Sequence, residues 1–153
     1  MNRRQLLAAV VAGAASPALR AGDGLPEAVV WKTPTCGCCG AWVRHLEANG
    51  FRARVIERAD LAPVKAEHRI PPRLESCHTA LIGGYVVEGH VPAADILRLL
   101  RERPAGVRGL VVPGMPAGSP GMEGPVSERY ATLALAEDGR TAVFAEHGPA
   151  KPR

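Results

Sequence analysis

The chain has 153 residues and a mass of 16.1 kDa, with 46% hydrophobic and 22% charged positions, enough for one core but too short for two ordinary domains. That composition excludes disorder, collagen and coiled coil, and 17 glycines and 14 prolines against 4% aromatics point to a small core with much irregular backbone. A net charge of +4 and a pI near 9.2 would suit a nucleic-acid partner, but Arg3, Arg4 and Arg20 lie in an acid-free opening segment. Without that segment the balance falls close to neutrality, and no nucleic-acid partner is expected.

The opening has a basic pair at Arg3-Arg4, an apolar run from Leu6 to Ala15 and small residues at Ala18 and Ala21. This is the anatomy of a signal peptide over residues 1–21, with export by the Sec or Tat route and no stable membrane insertion, because so short an apolar run cannot cross a bilayer. An uncleaved N-terminal anchor or helix is the alternative, since Leu19 fits the small-x-small cleavage rule poorly. An exported chain lives where disulfides persist, so its cysteines are open to cross-linking, redox chemistry or metal ligation.

Ala28 to Thr33 is a β-branched and aromatic run of strand length, and Pro34 ends it. Trp42, Val43 and Leu46 recur at helical spacing from Cys39 to Asn49, with Asn49-Gly50 as the stop. Phe51 to Glu57 alternates as a second strand, and Asp60 is expected to cap a short helix running to His68. After Pro71-Pro72, the runs Thr79 to Ile82 and Tyr85 to Val91 flank Gly83-Gly84, which predicts a two-residue hairpin turn.

Pro92 then opens a helix whose Ile96, Leu97, Leu99 and Leu100 form one stripe. The order βαβα-ββα predicts an α/β, thioredoxin-like fold, with a two-cysteine motif at the first helix N-terminus. Residues 104–125 hold eleven Gly or Pro in 22 positions and read as a long irregular loop. Tyr130 to Leu135 and Thr141 to Phe144 read as a C-terminal β-hairpin extension. The expected organisation is a leader over 1–21, a metal-binding domain over 22–125, and a hairpin and tail over 126–153.

Three of the four cysteines crowd into Cys36-Gly37-Cys38-Cys39. A helix N-terminus lowers thiol pKa, so this cluster is expected to be rich in thiolate, which is both nucleophile and metal ligand. Cys36 and Cys39 have dithiol–disulfide spacing, yet Cys38 adds a sulfur whose charge a soft cation would neutralise.

Cys77-His78 precedes the third strand, and this topology sets it facing the helix cysteines. Together they would offer thiolate and imidazole to a soft or borderline ion such as Cu(I) or Zn(II), unless Cys77 is only a small buried apolar group and His78 a surface residue. His90 ends the fourth strand at the same rim, as a ligand or as a solvent-exposed turn residue. Met115 and Met122, on the Gly/Pro-rich loop, are either Cu(I)-binding thioethers or residues that pin the loop. His45, His68 and His147 are expected to be structural or solvated, and Trp31 and Trp42 to lie in the core.

The segments Thr35-Cys36-Gly37-Cys38-Cys39, Ser76-Cys77-His78-Thr79, Gly89-His90-Val91-Pro92, Pro113-Gly114-Met115-Pro116 and Gly118-Ser119-Pro120-Gly121-Met122-Glu123 occur together in one order. With them the chain resembles the CopG-type family of periplasmic copper-resistance proteins over about residues 28–125. The resemblance implies a thioredoxin-like fold, a Cys-x-Cys-Cys copper centre, sometimes multinuclear, and a role in copper or silver tolerance. Carried over by position, Cys36, Cys38 and Cys39 correspond to core ligands, Cys77 and His78 to their partners, and His90, Met115 and Met122 to peripheral ligands.

The leading expectation is a periplasmic protein that sequesters, transfers or redox-converts Cu(I), with zinc or silver as alternative metals and periplasmic copper-efflux or carrier proteins as partners. A thiol–disulfide oxidoreductase using Cys36 and Cys39 is the main alternative. A structural zinc module fits less well, because a closed zinc site takes four ligands and this set has a surplus.

Overall fold

The computed structural model describes residues 24–149, so the expected leader over residues 1–21 lies outside the described residues. Seven strands form one mixed sheet with three α-helices, in the order β1 (Ala28–Lys32), α1 (Gly37–Ala48), β2 (Ala53–Glu57), α2 (Ala62–Glu67), β3 (Thr79–Ile82), β4 (Tyr85–Glu88), α3 (Ala93–Glu102), β5 (Val107–Val111), β6 (Tyr130–Ala136) and β7 (Thr141–His147). A single 3₁₀ turn, Pro72–Leu74, lies between α2 and β3. The sheet order is β2-β1-β3-β4-β5-β6-β7. Strand β1 runs parallel to β2 and antiparallel to β3, and β3 is antiparallel to β4. The expected parallel βαβ unit, hairpin and following helix are all present.

Local sequence accounts for most of the boundaries. Gly83 and Gly84 both take positive φ, +57° and +86°, so the β3–β4 hairpin turns in two residues as its Gly-Gly pair requires. Helix α1 ends at the Asn49 cap, with Gly50 left-handed at φ +90° immediately after it. Helix α2 starts later than expected: Leu61 is its N-cap, and Asp60 Oδ1 instead accepts the Ala62 N–H at 2.9 Å.

The sequence reading of 104–125 as wholly irregular is corrected by β5. Val107–Val111 pairs in parallel with β4 and antiparallel with β6, so the C-terminal hairpin joins the main sheet. Gly109 obscured this strand, since glycine weakens isolated strand propensity. Its place in the sheet explains the residue: a Cβ there would come within 2.1 Å of the Val86 carbonyl oxygen on the neighbouring strand. The hairpin is also longer than expected, taking in Ala136 and residues 145–147.

Alternation along the strands divides the core. On one face Val30, Ala80, Ile82, Val87 and Leu110 pack with Trp42 and Leu46 of α1 and Ile96 and Leu99 of α3. On the other, Val86, Val111 and Leu135 pack with Ile70 and Leu74 from the α2–β3 connection. The N-terminus of α1 and the segments entering β3 and leaving β4 consequently meet at one end of the sheet.

Candidate metal centre

The Cys36–Cys39 segment opens α1. Cys36 is the N-cap, and its sulfur accepts the Cys39 N–H at 3.3 Å, where the aligned peptide dipoles favour negative charge. Cys36 and Cys39 are joined as a disulfide, while Cys38 and Cys77 are free. Cys38 Sγ lies 3.4 Å from Cys36 Sγ, and Cys39 Sγ lies 3.7 Å from the Cys77 carbonyl oxygen. All four cysteines place their sulfurs within 4.8 Å of one another. Two electrons must reduce the disulfide before its sulfurs can serve as thiolates.

Cys77, His78 and His90 form a second group with ligand atoms equally close, so Cys77 belongs to both. Cys77 Sγ is 2.9 Å from His90 Nε2 and 3.4 Å from His78 Nδ1. The other nitrogen of His90, Nδ1, lies 2.7 Å from the Pro120 carbonyl oxygen. A carbonyl can only accept, so Nδ1 carries the proton and the Nε2 lone pair is turned toward Cys77.

Burial first, then the neighbouring Cys38, pushes the Cys77 thiol up to about 12, so in the metal-free protein Cys77 donates its proton toward His90 Nε2. Burial also holds His90 below the usual imidazole value. It holds His78 well below, and repulsion from His90 in its protonated form and from Lys65 adds to the effect. Both rings are therefore neutral and available as ligands.

His78 is fully buried, its ring centroid 4.3 Å from that of Trp42 and 5.0 Å from that of His90. The alternatives of a surface His78 and a solvent-exposed His90 are overturned, since neither ring is exposed. His78 Nε2 is buried without a hydrogen-bond partner among the described residues. An unpaired buried polar atom costs free energy; it is the other nitrogen of the same ring, Nδ1, that stands 3.4 Å from the Cys77 sulfur.

Residues 74–122 match the family described as "Protein of unknown function, DUF411". No curated protein matches the chain. Two solved structures titled copper resistance protein CopG, Form 1 and Form 2, are 45% and 47% identical to it, with TM-scores of 0.75 and 0.76; in each case the match covers 80% of this chain and 98% of the other. The chain belongs to the CopG family.

In this CopG-family chain the loop after β5 is folded down by glycine and carbonyl contacts. Gly121 takes φ +86°, and a Cβ there would come within 2.6 Å of Cys38 O and 2.9 Å of Trp42 N, so the loop backbone rests directly on the start of α1. Met122 follows Gly121 in a turn closed by its own N–H to Ser119 O at 2.7 Å. Met115 follows Gly114, whose N–H donates to Glu75 O at 3.2 Å and whose carbonyl accepts from Ser76 Oγ. Both methionines thus occupy a loop anchored at the rim of the centre, and Met115 is 51% exposed.

The remaining histidines lie elsewhere. His45 Nε2 accepts the Ala93 N–H at 3.0 Å and His68 packs against Trp31. His147, expected in a tail, is in β7 and bonds Asp95 Oδ2 at 2.7 Å.

Sequence reasoning missed the polar network beneath the centre. Glu88, fully buried, accepts from Lys65 Nζ, from Ser76 N–H at 2.7 Å and from Thr79 Oγ1 at 2.6 Å. Its one signal was an acid inside the apolar run Tyr85 to Val91. The partner Lys65 sits on a different element and gave none.

Proposed function

We propose that this chain is an exported, periplasmic copper-binding protein of copper resistance that handles Cu(I) on a thioredoxin-like scaffold over residues 22–125. Cys36, Cys38, Cys39 and Cys77 supply thiolates, His78 and His90 supply imidazoles, and Met115 and Met122 supply peripheral thioethers. The observation that carries this reading is the sharing of Cys77 between a four-sulfur group and a sulfur–imidazole group. Such a donor set is softer than a hydrolytic zinc site and larger than a closed structural one. The titles of the two CopG structures support copper as the metal. Sequestration, transfer to a periplasmic efflux or carrier protein, and conversion between Cu(I) and Cu(II) all fit this site, and silver would be accepted by the same sulfurs.

The disulfide between Cys36 and Cys39 favours a second reading, a thiol–disulfide oxidoreductase. Cys38 separates the two, because a dithiol enzyme needs only the outer pair. Anaerobic titration of reduced protein with Cu(I) against a competing chelator, alongside reduction of a model disulfide substrate, tests both. The copper reading expects Cys38→Ser to lose most of the Cu(I) affinity. Unchanged affinity together with active disulfide turnover would support the oxidoreductase instead.

A further inference from the structure

We propose that the buried Glu88–Lys65 pair is a positioning device that fixes the Cys77–His78 dipeptide for metal capture. This rests on the copper reading above and extends it to two residues that touch no ligand atom of the centre.

The Glu88 carboxylate bonds both residues that flank the dipeptide: the Ser76 N–H on one side and the Thr79 hydroxyl on the other. The backbone continues the clamp, since the Gly89 N–H donates to His78 O at 3.0 Å and the Val112 N–H to Glu88 O at 3.0 Å. Gly89 takes φ +76°, and a Cβ there would lie 2.6 Å from Ser76 Cβ and 2.5 Å from Val112 O, so the segments leaving β4 and entering β3 are in direct contact. Lys65 Nζ also reaches Thr79 Oγ1 at 3.2 Å, so every hydrogen bond that the two side chains make to a third residue ends on a neighbour of Cys77–His78.

A buried ion pair is a poor device for stability, because apolar residues of similar volume do that work as well or better. It is a good device for register: a carboxylate bonded from both flanks admits one conformation of the residues between them. Cys77 must present its sulfur to both donor groups, and a small rotation of the dipeptide would break the sharing. Groups that orient metal ligands from behind commonly matter about 10- to 100-fold in affinity.

The test compares Lys65→Met/Glu88→Leu with Lys65→Met/Glu88→Gln, both free of an uncompensated buried charge; only the second keeps an acceptor for the Ser76 N–H, with an amide N–H that can donate to the Thr79 hydroxyl once Lys65 no longer does. Anaerobic Cu(I) affinity by chelator competition, thermal unfolding, and hydrogen exchange of the Gly89 amide in metal-free protein are measured for each. The Leu variant is expected to remain folded, to exchange the Gly89 amide faster and to bind Cu(I) about 10- to 100-fold more weakly, with the Gln variant restoring most of both. Parent-like affinity and exchange in the folded Leu variant would overturn the proposal. Should the Leu variant not fold, Thr79→Val removes the Thr79 flank alone, its bonds to Glu88 and Lys65, and is expected to weaken Cu(I) binding without lowering the unfolding midpoint to match; no change in affinity would overturn the proposal equally. A parent protein that binds no Cu(I) would instead remove the copper reading, while the Gly89 exchange rates still report whether the pair fixes the dipeptide.

Discussion

Cys77 concentrates the chemistry of the centre, and its protonation should set the pH response. With its thiol pushed up to about 12 and both imidazoles held below their ordinary value, copper bound by the proposed ligand set would have to displace the Cys77 proton over the whole accessible range, while the histidines stay neutral through most of it. Cu(I) affinity is expected to fall from about pH 8 to pH 5, by about tenfold per pH unit for each proton displaced. Cys77→Ser should show weaker binding and a shallower slope, measured by chelator competition at each pH. A slope unchanged by this substitution would assign the displaced protons to the other cysteines.

Cys36-x-Cys38-Cys39 and Cys77-His78 were legible as donors because residue type alone limits what they can do. The tautomer of His90 was not legible, because Pro120 fixes it from 30 positions away.

At the level of elements, α1 and α3 are tied by a contact whose sign can be worked out. His45 Nε2 accepts from Ala93 N–H at the start of α3, so the imidazole must be neutral there, and burial lowers its pKa below 6.5. Protonation would remove the lone pair and place a positive charge at a helix N-terminus. The unfolded chain therefore takes up this proton first. The His45 contribution is complete above about pH 6.5 and is lost as pH falls from that value toward the lower folded one. His45→Gln keeps an acceptor but does not titrate, so its unfolding free energy relative to the parent should rise between about pH 7.5 and pH 5.5. Denaturant unfolding at the two pH values checks this, and titrating groups common to both proteins cancel in the comparison.

The loop carrying Met115 and Met122 is the other element with a separable role. It rests on α1 through Gly121 and on the Cys77 segment through Gly114, contacts made by backbone and not by the methionine side chains. Met115→Leu/Met122→Leu conserves approximate volume and should speed Cu(I) release with little change in unfolding midpoint. Release rates matching the parent in stopped-flow chelation would make both methionines packing residues.

On the scale of the molecule, the C-terminal hairpin is part of the main sheet and should unfold with it. Asp95 of α3, nearly fully buried, accepts from Thr132 Oγ1 at 2.6 Å and bonds His147 Nε2 at 2.7 Å, while Arg98 stacks over Phe144 at 3.6 Å. The fluorescence of Trp31 and Trp42 and the amide resonances of β6 and β7 are expected to report one coincident denaturant transition. Asp95→Ala should shift both together by about 1–3 kcal/mol, the cost of leaving buried partners unsatisfied. Separate transitions would make residues 126–153 an independent unit.

The sequence by itself determined the helices, the β3–β4 turn and the list of soft donors. Apolar periodicity, paired glycines and the chemistry of cysteine, histidine and methionine act within a few residues of chain. Only the tertiary structure decided that Val107–Val111 is a strand, that the hairpin joins the sheet, that Cys77 is shared by two donor groups and that Glu88 and Lys65 meet beneath it. Each of these depends on which segments lie side by side, and strand pairing and buried charge acquire their free energy from neighbours distant in the chain. Gly109 shows the reason most directly: alone it argues against a strand, while beside Val86 it is the residue that fits.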